Sequence, residues 1–217
     1  VGAYFFTGGN IGQLIGGGAP TASNGPVQES SDEAYWHKLS SVVLAKTEDS
    51  WAAIFARHDA QYRPPQMVLY RGSTQTACGM GQAQTGPFYC PGDQKVYLDL
   101  SFFDLMKQRY GGGGDFAAAY VIAHEVGHHV QNLLGIEKKM RAAQAADPSQ
   151  KNALSVRLEL QADCFAGLWA AETNRREQFL EAGDMQQGMK TAQAIGDDHL
   201  QQQAGQAVRP DAFTHGS

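Results

Sequence analysis

Hydrophobic positions recur at helical spacing from Ser30 onward. The stretches "SSDEAYWHKLSSVVLA" and "TEDSWAAIFARH" predict two successive helices. Ser30 or Ser31 would cap the first helix, and Thr47 the second. The apolar stripe of the second helix comprises Trp51, Ile54 and Phe55.

The middle of the chain changes to short stretches rich in β-forming residues. These are "QMVLYRG" (66–72), "PFYC" (87–90) and "KVYLDL" (95–100), separated by Gly/Pro clusters. They predict a small antiparallel sheet. The stretch "SFFDLMKQRYGGGG" that follows predicts a helix stopped by its glycines.

Two long helices are predicted after the glycine run. The first lies between Asp115, its N-cap, and Gly135, a C-terminal stop. The second begins with Asp147 as N-cap and Pro148 at the first helical position, and it continues to about Asn174. The whole pattern predicts a predominantly helical α+β fold with two long helices and a small sheet.

Length and charge limit the function classes. The 217 residues suffice for one well-buried domain, which we place at residues 26–217, after a Gly/Ser/Pro-rich linker at 1–25. The net charge is −5 and there is no Lys/Arg-rich run, so a nucleic-acid partner is not expected. No stretch of about 18 apolar residues is present to span a membrane.

The cysteines bear on the compartment. Cys78 and Cys90 lie twelve positions apart in a Gly/Pro/Thr-rich segment with few core-forming residues. A disulfide between them would stabilise the fold by roughly 3 kcal/mol and would place the protein in an oxidising compartment. Two reduced cysteines in a cytosolic protein are the alternative. Cys164 is predicted to be a buried free thiol in a helix.

The first long helix carries "AHEVGHHVQN", with His124 and His128 four residues apart. Four residues turn a helix by about 400°, so both imidazoles leave one face and can bind one zinc ion. Glu125 is rotated by about 100° and can reach a metal-bound water, as in the H-E-x-x-H motif of metalloproteases. The opposite, core-facing side comprises Ala119, Ile122, Val126, Val130 and Leu133.

A catalytic zinc usually has a third protein ligand, and the second long helix offers "ELQAD". Glu159 can be that ligand. Asp163, one turn later, can accept a hydrogen bond from the outer ring nitrogen of a ligand histidine. Small residues, including Gly127, would allow the close helix contact. Surface histidines on an ordinary helix are the alternative, and the two motifs together favour the metal site.

These motifs, with "CGMGQAQTGPFYCPGDQKVYLDLSFF" and "FTHGS", resemble the bacterial family of neutral zinc metallopeptidases, which belongs with the thermolysin-like zincins. The resemblance extends from about residue 26 to the end. It implies a zincin-like catalytic domain with one zinc ion held by His124, His128 and Glu159, and with Glu125 as the catalytic acid/base. It also implies an extracytoplasmic domain, in the periplasm or cell envelope, tethered by an N-terminal membrane segment outside the residues printed here.

The predicted activity is that of a zinc metalloendopeptidase, which hydrolyses peptide bonds in a peptide or protein substrate. Glu125 would act as general base toward a metal-activated water. Thermolysin-like enzymes add a donor for the oxyanion, for which His215 is the first candidate, and His199 and Tyr97 are weaker ones. A solvent-exposed His215 in a C-terminal tail is an equal alternative. The stretch "KVYLDL" is predicted either as an edge strand for peptide docking or as an ordinary strand.

His129 is turned about 140° from His124 and about 100° from His128, too far to bind the same metal ion. We predict a packed histidine that bonds a backbone carbonyl or a carboxylate, ahead of a role in supporting the ligands. The rival function is a non-catalytic zinc-binding domain for cell-envelope interaction or regulation. Hydrolysis of another bond, such as an amide of the cell wall, is a third possibility.

Overall fold

The computed structural model describes residues 5–7, 30–82, 86–104 and 114–195, and within them the protein is a predominantly helical α+β structure, as predicted. The helices are α1 (Ser31–Ala56), α2 (Asp115–Leu133), α3 (Ile136–Ala146), α4 (Lys151–Glu177) and α5 (Asp184–Ile195). The strands are β1 (Phe5–Thr7), β2 (Gln66–Tyr70), β3 (Ser73–Thr76), β4 (Gly79–Gln82), β5 (Phe88–Cys90) and β6 (Lys95–Asp99). Residues 100–104 are also helical.

The main sheet has the strand order β1-β2-β6-β5 and is mixed. The prediction of an antiparallel sheet is wrong for β2 and β6, which are parallel; β5 is antiparallel to β6. Parallel neighbours need a long crossover, and residues 71–94 provide one that contains the β3–β4 hairpin and β5. Of the two alternatives for "KVYLDL", the ordinary strand is the one observed, because β6 lies between β2 and β5.

The two faces of this sheet contact different clusters, since successive side chains point to opposite sides. One face packs against the helices in the main core, through Met67, Leu69, Val96 and Leu98. The other face forms a small separate cluster of Val68, Tyr70, Cys90 and Tyr97. Helix α2 is the central element of the main core, where it packs against α1, α4, α5 and the strands β5 and β6.

Helix α1 is one continuous helix where the sequence predicted two. Ser30 caps it through a capping box, in which the backbone N–H of Glu33 donates to Ser30 Oγ at 3.2 Å and the Ser30 N–H donates to Glu33 Oε2 at 2.7 Å. Thr47 is not an N-cap. Its side chain is buried and its hydroxyl donates to the Leu44 carbonyl at 2.7 Å, so the helix accommodates it without a break.

The ends of the two long helices differ slightly from the prediction. Gly114, rather than Asp115, is the N-cap of α2, and Asp115 lies in the first turn. Gly135 ends α2 with φ +69° and leads directly into α3, which the sequence analysis missed. Asp147 is confirmed as a cap: its carboxylate accepts from the Ser149 N–H at 3.1 Å, ahead of the 3-10 turn that enters α4.

The predicted Cys78–Cys90 disulfide is present and ties the turn between β3 and β4 to the edge strand β5, with the Cα atoms 5.8 Å apart. Cys164 is a free thiol, but the prediction that it is buried is wrong. It follows Asp163 on α4, and a rotation of about 100° turns it away from α2 and toward the surface.

Three residues of the predicted linker at 1–25 form β1, which pairs in parallel with β2. The rest of that segment lies outside the described residues, as does the C-terminal part from residue 196. Within the described ranges, none of the helices has both the length and the apolar character needed to cross a membrane.

Candidate metal centre

A close contact between α2 and α4 brings the two sequence motifs together. A Cβ atom placed on Gly127 would lie 2.9 Å from the carbonyl oxygen of Ala162 and 3.2 Å from its Cα. Any larger side chain at position 127 would therefore push the backbone of α4 away. Ala162 is itself fully buried, and Glu159 and Asp163 flank it on the α4 face toward α2.

Three side-chain atoms on these helices form a nearly equilateral triangle. His124 Nε2 lies 3.2 Å from His128 Nε2 and 3.2 Å from Glu159 Oε2, and His128 Nε2 lies 3.3 Å from Glu159 Oε2. A tetrahedral ion with bonds of about 2.0–2.1 Å holds its ligands about 3.3 Å apart. The donor set and its spacing therefore fit zinc.

The outer nitrogen of His124 has a carboxylate partner. His124 Nδ1 lies 2.8 Å from Asp163 Oδ1, and the same oxygen accepts from the hydroxyl of Tyr120. In the neutral ring that a metal ion requires, this carboxylate keeps the remaining proton on Nδ1, which leaves the Nε2 lone pair directed toward His128 and Glu159.

The outer nitrogen of His128 has an amide partner instead. His128 Nδ1 lies 2.9 Å from Gln131 Oε1. The amide nitrogen of Gln131 donates to the Leu158 carbonyl at 2.7 Å and to Gln161 Oε1 at 3.1 Å. Gln131 is fully buried, and its amide has partners on both its oxygen and its nitrogen.

The charges in the cluster stabilise one another when no metal ion is bound. Burial favours the neutral imidazole, but hydrogen bonds to Asp163 and Glu159 prevail and raise the pKa of His124 to about 10. Burial opposes ionisation of Glu159 as well, yet the hydrogen bonds from His124 and His128 lower the pKa of this carboxyl group. The cluster thus holds positive charge between two carboxylates, at the position where a cation would bind.

Glu125 is buried on α2 and lines a cavity of about 310 Å³ together with the candidate ligands His128 and Glu159. One wall of the cavity is the edge strand β5, through Phe88 and Tyr89. The opposite wall comes from α3 and the first half of α4, with side chains that include Met140, Arg141, Lys151, Ser155 and Leu158. A molecule in this cavity would therefore contact Glu125 and the ligand cluster at the same time.

His129 is a packed histidine, as predicted. Its Nε2 lies 2.7 Å from the Arg63 carbonyl, which can only accept, so Nε2 carries the proton. Nδ1 then accepts from the Tyr89 hydroxyl at 3.0 Å, and Tyr89 in turn accepts from the side-chain amide of Asn132 at 2.9 Å. Burial lowers the pKa of His129 and keeps the ring neutral. Both of its nitrogens are therefore occupied away from the ligand cluster.

Of the candidates for oxyanion stabilisation, Tyr97 lies within the described residues. His199 and His215 lie outside the described residues. Tyr97 lies on the sheet face away from the main core, where its ring stacks on Phe88 and its hydroxyl donates to Asp93 Oδ2 at 2.6 Å. Because its hydroxyl proton is donated to that carboxylate, Tyr97 is a poor candidate for an oxyanion donor in the cavity.

Two residues of the cluster were missed in the sequence, Tyr120 and Gln131. Both lie on α2 at positions that share the face of the ligands: Tyr120 is four residues before His124, and Gln131 is three residues after His128. Helical spacing was the available signal for both.

The chain is similar to curated proteins of bacteria. The chain is 54% identical over 192 residues to the uncharacterized protein YpfJ of Escherichia coli K12, covering 88% of this chain and 66% of the relative. It is 44% identical over 167 residues to the uncharacterized protein Rv2575 of Mycobacterium tuberculosis H37Rv, covering 72% of this chain and 55% of the relative. The chain thus spans only part of the length of these curated relatives, and no solved structure matches it.

A family profile with the description "Putative neutral zinc metallopeptidase" matches residues 2–217. The match covers nearly the whole chain and includes both helices of the candidate metal centre. The name of the family gives zinc as the metal and a peptide or protein as the substrate. On this evidence, the chain belongs to the neutral zinc metallopeptidase family.

Proposed function

We propose that the protein is a zinc-dependent peptidase in which His124, His128 and Glu159 hold one zinc ion and Glu125 acts as the general base. The observation that carries the proposal is the triangle of donor atoms 3.2–3.3 Å apart, two of whose residues, His128 and Glu159, line the same cavity as Glu125. When bound, zinc supplies Lewis acidity, which makes water more acidic and polarises a carbonyl group.

The residues around the ion have separate roles in this proposal. Glu125 accepts a proton from the attacking water and delivers it to the departing amine, as a general base and then a general acid. Asp163 holds the proton of His124 on Nδ1 so that Nε2 remains a ligand. His215 stays a predicted oxyanion donor.

The substrate we propose is an extended peptide that lies along β5. This strand is at the edge of the sheet and forms one wall of the cavity beside Glu125. The main-chain groups of an edge strand can pair with an added strand, which gives affinity without demanding a particular sequence. Residues 26–217 would form a zincin-like catalytic domain.

We also propose that the protein works outside the cytoplasm, as an endopeptidase of the periplasm or cell envelope tethered by an N-terminal segment. The support is the Cys78–Cys90 disulfide, since such bonds persist in oxidising compartments and are rare in the cytosol.

The test replaces Glu125 with Gln, which keeps the size of the side chain and removes its basicity. We expect one zinc per chain in both proteins, and a loss of casein cleavage by about 10²–10⁴-fold in the variant. Glu172→Gln, on α4 but outside the cavity, is the matched control and should cleave like the wild type.

Two outcomes would contradict the proposal. Undiminished cleavage by a zinc-loaded Glu125→Gln variant would exclude Glu125 as the base. A wild-type protein that binds zinc and cleaves no peptide or protein would favour the non-catalytic zinc domain.

A further inference from the structure

The buried amide of Gln131 contacts two of the proposed zinc-binding elements. It bonds the ring of His128 on α2 and the backbone of Leu158, the residue before Glu159 on α4. The geometry points to Gln131 as a positioning residue that sets the orientation of the His128 ring and the placement of Glu159. This inference rests on the proposed zinc site, but it concerns metal binding and does not require that the protein cleaves peptides.

The orientation of the Gln131 amide follows from its partner on α4. The carbonyl oxygen of Leu158 can only accept a hydrogen bond, so the group 2.7 Å from it must be the amide nitrogen. The amide oxygen then points in the other direction, to His128 Nδ1 at 2.9 Å. An amide oxygen can only accept, so His128 must donate from Nδ1.

The consequence for His128 is a fixed tautomer. A neutral imidazole that is protonated on Nδ1 has its lone pair on Nε2, the atom that faces His124 Nε2 and Glu159 Oε2. Without the Gln131 oxygen, nothing in the described contacts of His128 Nδ1 would favour this tautomer or hold the ring plane. A backbone carbonyl on α4 thus selects the binding form of a histidine on α2.

The same amide also positions the third ligand. Leu158 directly precedes Glu159 on α4, so the hydrogen bond from Gln131 joins α2 to the backbone one residue before the ligand carboxylate. The contact of Gly127 with Ala162 lies one turn further along the same interface. Gln131 therefore couples the rotation of the His128 ring to the distance between the two helices.

His124, the other histidine of the cluster, has a carboxylate partner where His128 has an amide. Its Nδ1 donates to the carboxylate of Asp163, which adds a negative charge, whereas Gln131 adds none. A second carboxylate would have no donor to offer to Leu158. An amide supplies an acceptor and a donor from one side chain, and both are needed here.

The test is Gln131→Met, which is close in size and lacks the hydrogen-bonding groups. We expect the dissociation constant for zinc, measured by competition with a chelator, to rise by about 10–100-fold. The visible absorption of the cobalt-substituted protein should also change, because the ligand geometry is no longer held. Gln161→Ala is the matched control: it removes the weaker partner of the Gln131 nitrogen, and zinc affinity should stay within about threefold of the wild type.

A second variant separates positioning from packing. Gln131→Glu keeps an oxygen opposite His128 Nδ1 but loses the donor to the Leu158 carbonyl, so its zinc affinity should lie between those of Gln131→Met and the wild type. The rise in melting temperature on adding zinc should be smallest in Gln131→Met, whereas a purely structural residue would lower the metal-free and zinc-loaded melting temperatures equally.

Wild-type zinc affinity in Gln131→Met, or no recovery in Gln131→Glu, would overturn the inference. A wild-type protein that binds no zinc would overturn both this inference and the proposed function. Zinc binding that depends on Gln131 in a protein without peptidase activity would support the inference alone.

Discussion

Two carboxylates on α4, Glu159 and Glu172, are almost equally buried, at 8% and 7% exposure, and both have a pKa below the ordinary value. They differ in their partners. Glu159 faces two histidines on α2, whereas Glu172 faces Arg57 at the end of α1 at 3.1 and 3.2 Å and Arg175 on its own helix at 2.6 Å.

The two carboxylates differ in whether their positively charged partner can release its proton and bind a metal ion instead. A guanidinium is always protonated, so Arg57 and Arg175 neutralise Glu172 under all ordinary conditions and join α1 to α4. An imidazole can release its proton and bind a metal ion with the same lone pair. Both regions therefore contain a buried carboxylate. Histidine partners make a candidate metal-binding site, whereas arginine partners make a structural contact.

The largest expected effect is a difference in zinc affinity between the variants that neutralise Glu159 and Glu172. Glu159→Gln removes one of the three proposed ligands, and we expect zinc affinity to fall by more than about a hundredfold. Glu172→Gln should leave zinc affinity and stoichiometry unchanged. Metal analysis after dialysis, with chelator competition for affinity, checks both. Equal losses in the two variants would remove the distinction between the two regions.

The next effect concerns the helix contact that brings Glu159 to the histidines. In Gly127→Ala the new Cβ would lie 2.9 Å from the Ala162 carbonyl, so α4 must shift. We expect a loss of about 1–3 kcal/mol in the free energy of unfolding, together with weaker zinc binding.

Gly167→Ala is the matched control on α4, because a Cβ there would meet nothing within 4 Å. It should stabilise the protein by about 0.5–1 kcal/mol, as expected for Gly→Ala in a helix, and leave zinc binding unchanged. Urea unfolding of both variants measures the two changes, and a neutral Gly127→Ala would contradict this account of the contact.

The third effect is a pH dependence of metal binding. When no metal ion is bound, the pKa of His124 is raised from its ordinary value of 6.5 to about 10. The protonated ring therefore contributes its full stabilisation below pH 6.5, and this contribution is lost as the pH rises toward 10. Zinc needs the deprotonated ring, so its affinity should increase over the same range. We therefore expect the gap between the melting temperatures of zinc-loaded and chelator-treated protein to widen from pH 6.5 to 9. A constant gap would contradict the competition between protons and zinc.

The smallest effect concerns the structural carboxylate. Hydrogen bonds from Arg57 and Arg175 lower the pKa of Glu172 from 4.5 to about 2. The ionised carboxylate therefore contributes its full stabilisation above pH 4.5, and this contribution is lost as the pH falls toward 2. Both arginines are at least half exposed, so Glu172→Gln should lower the melting temperature by only about 2–4 °C at neutral pH. The difference from the wild type should be smaller at pH 3 than at pH 7, which thermal unfolding at the two pH values would show.

The parts of the fold that were predicted from sequence are those set by local spacing. The N-cap at Ser30, one of the two predicted positions, the cap at Asp147 and the core face of α2 follow from residues within one or two turns. The errors arose where a non-local contact decides. Thr47 has good capping chemistry, but it continues a helix that the core requires, and β6 pairs in parallel with β2 across a long crossover.

The candidate site shows the same division. The sequence by itself determined that His124, Glu125 and His128 project from adjacent positions of one helix, because helix geometry sets their relative directions. Only the tertiary structure decided that Glu159 comes within 3.3 Å of both histidines, and that Gln131 bonds His128 and the backbone of α4 together. Those distances depend on how closely two helices approach, which is set by Gly127 against Ala162 and by the packing of the whole core around α2.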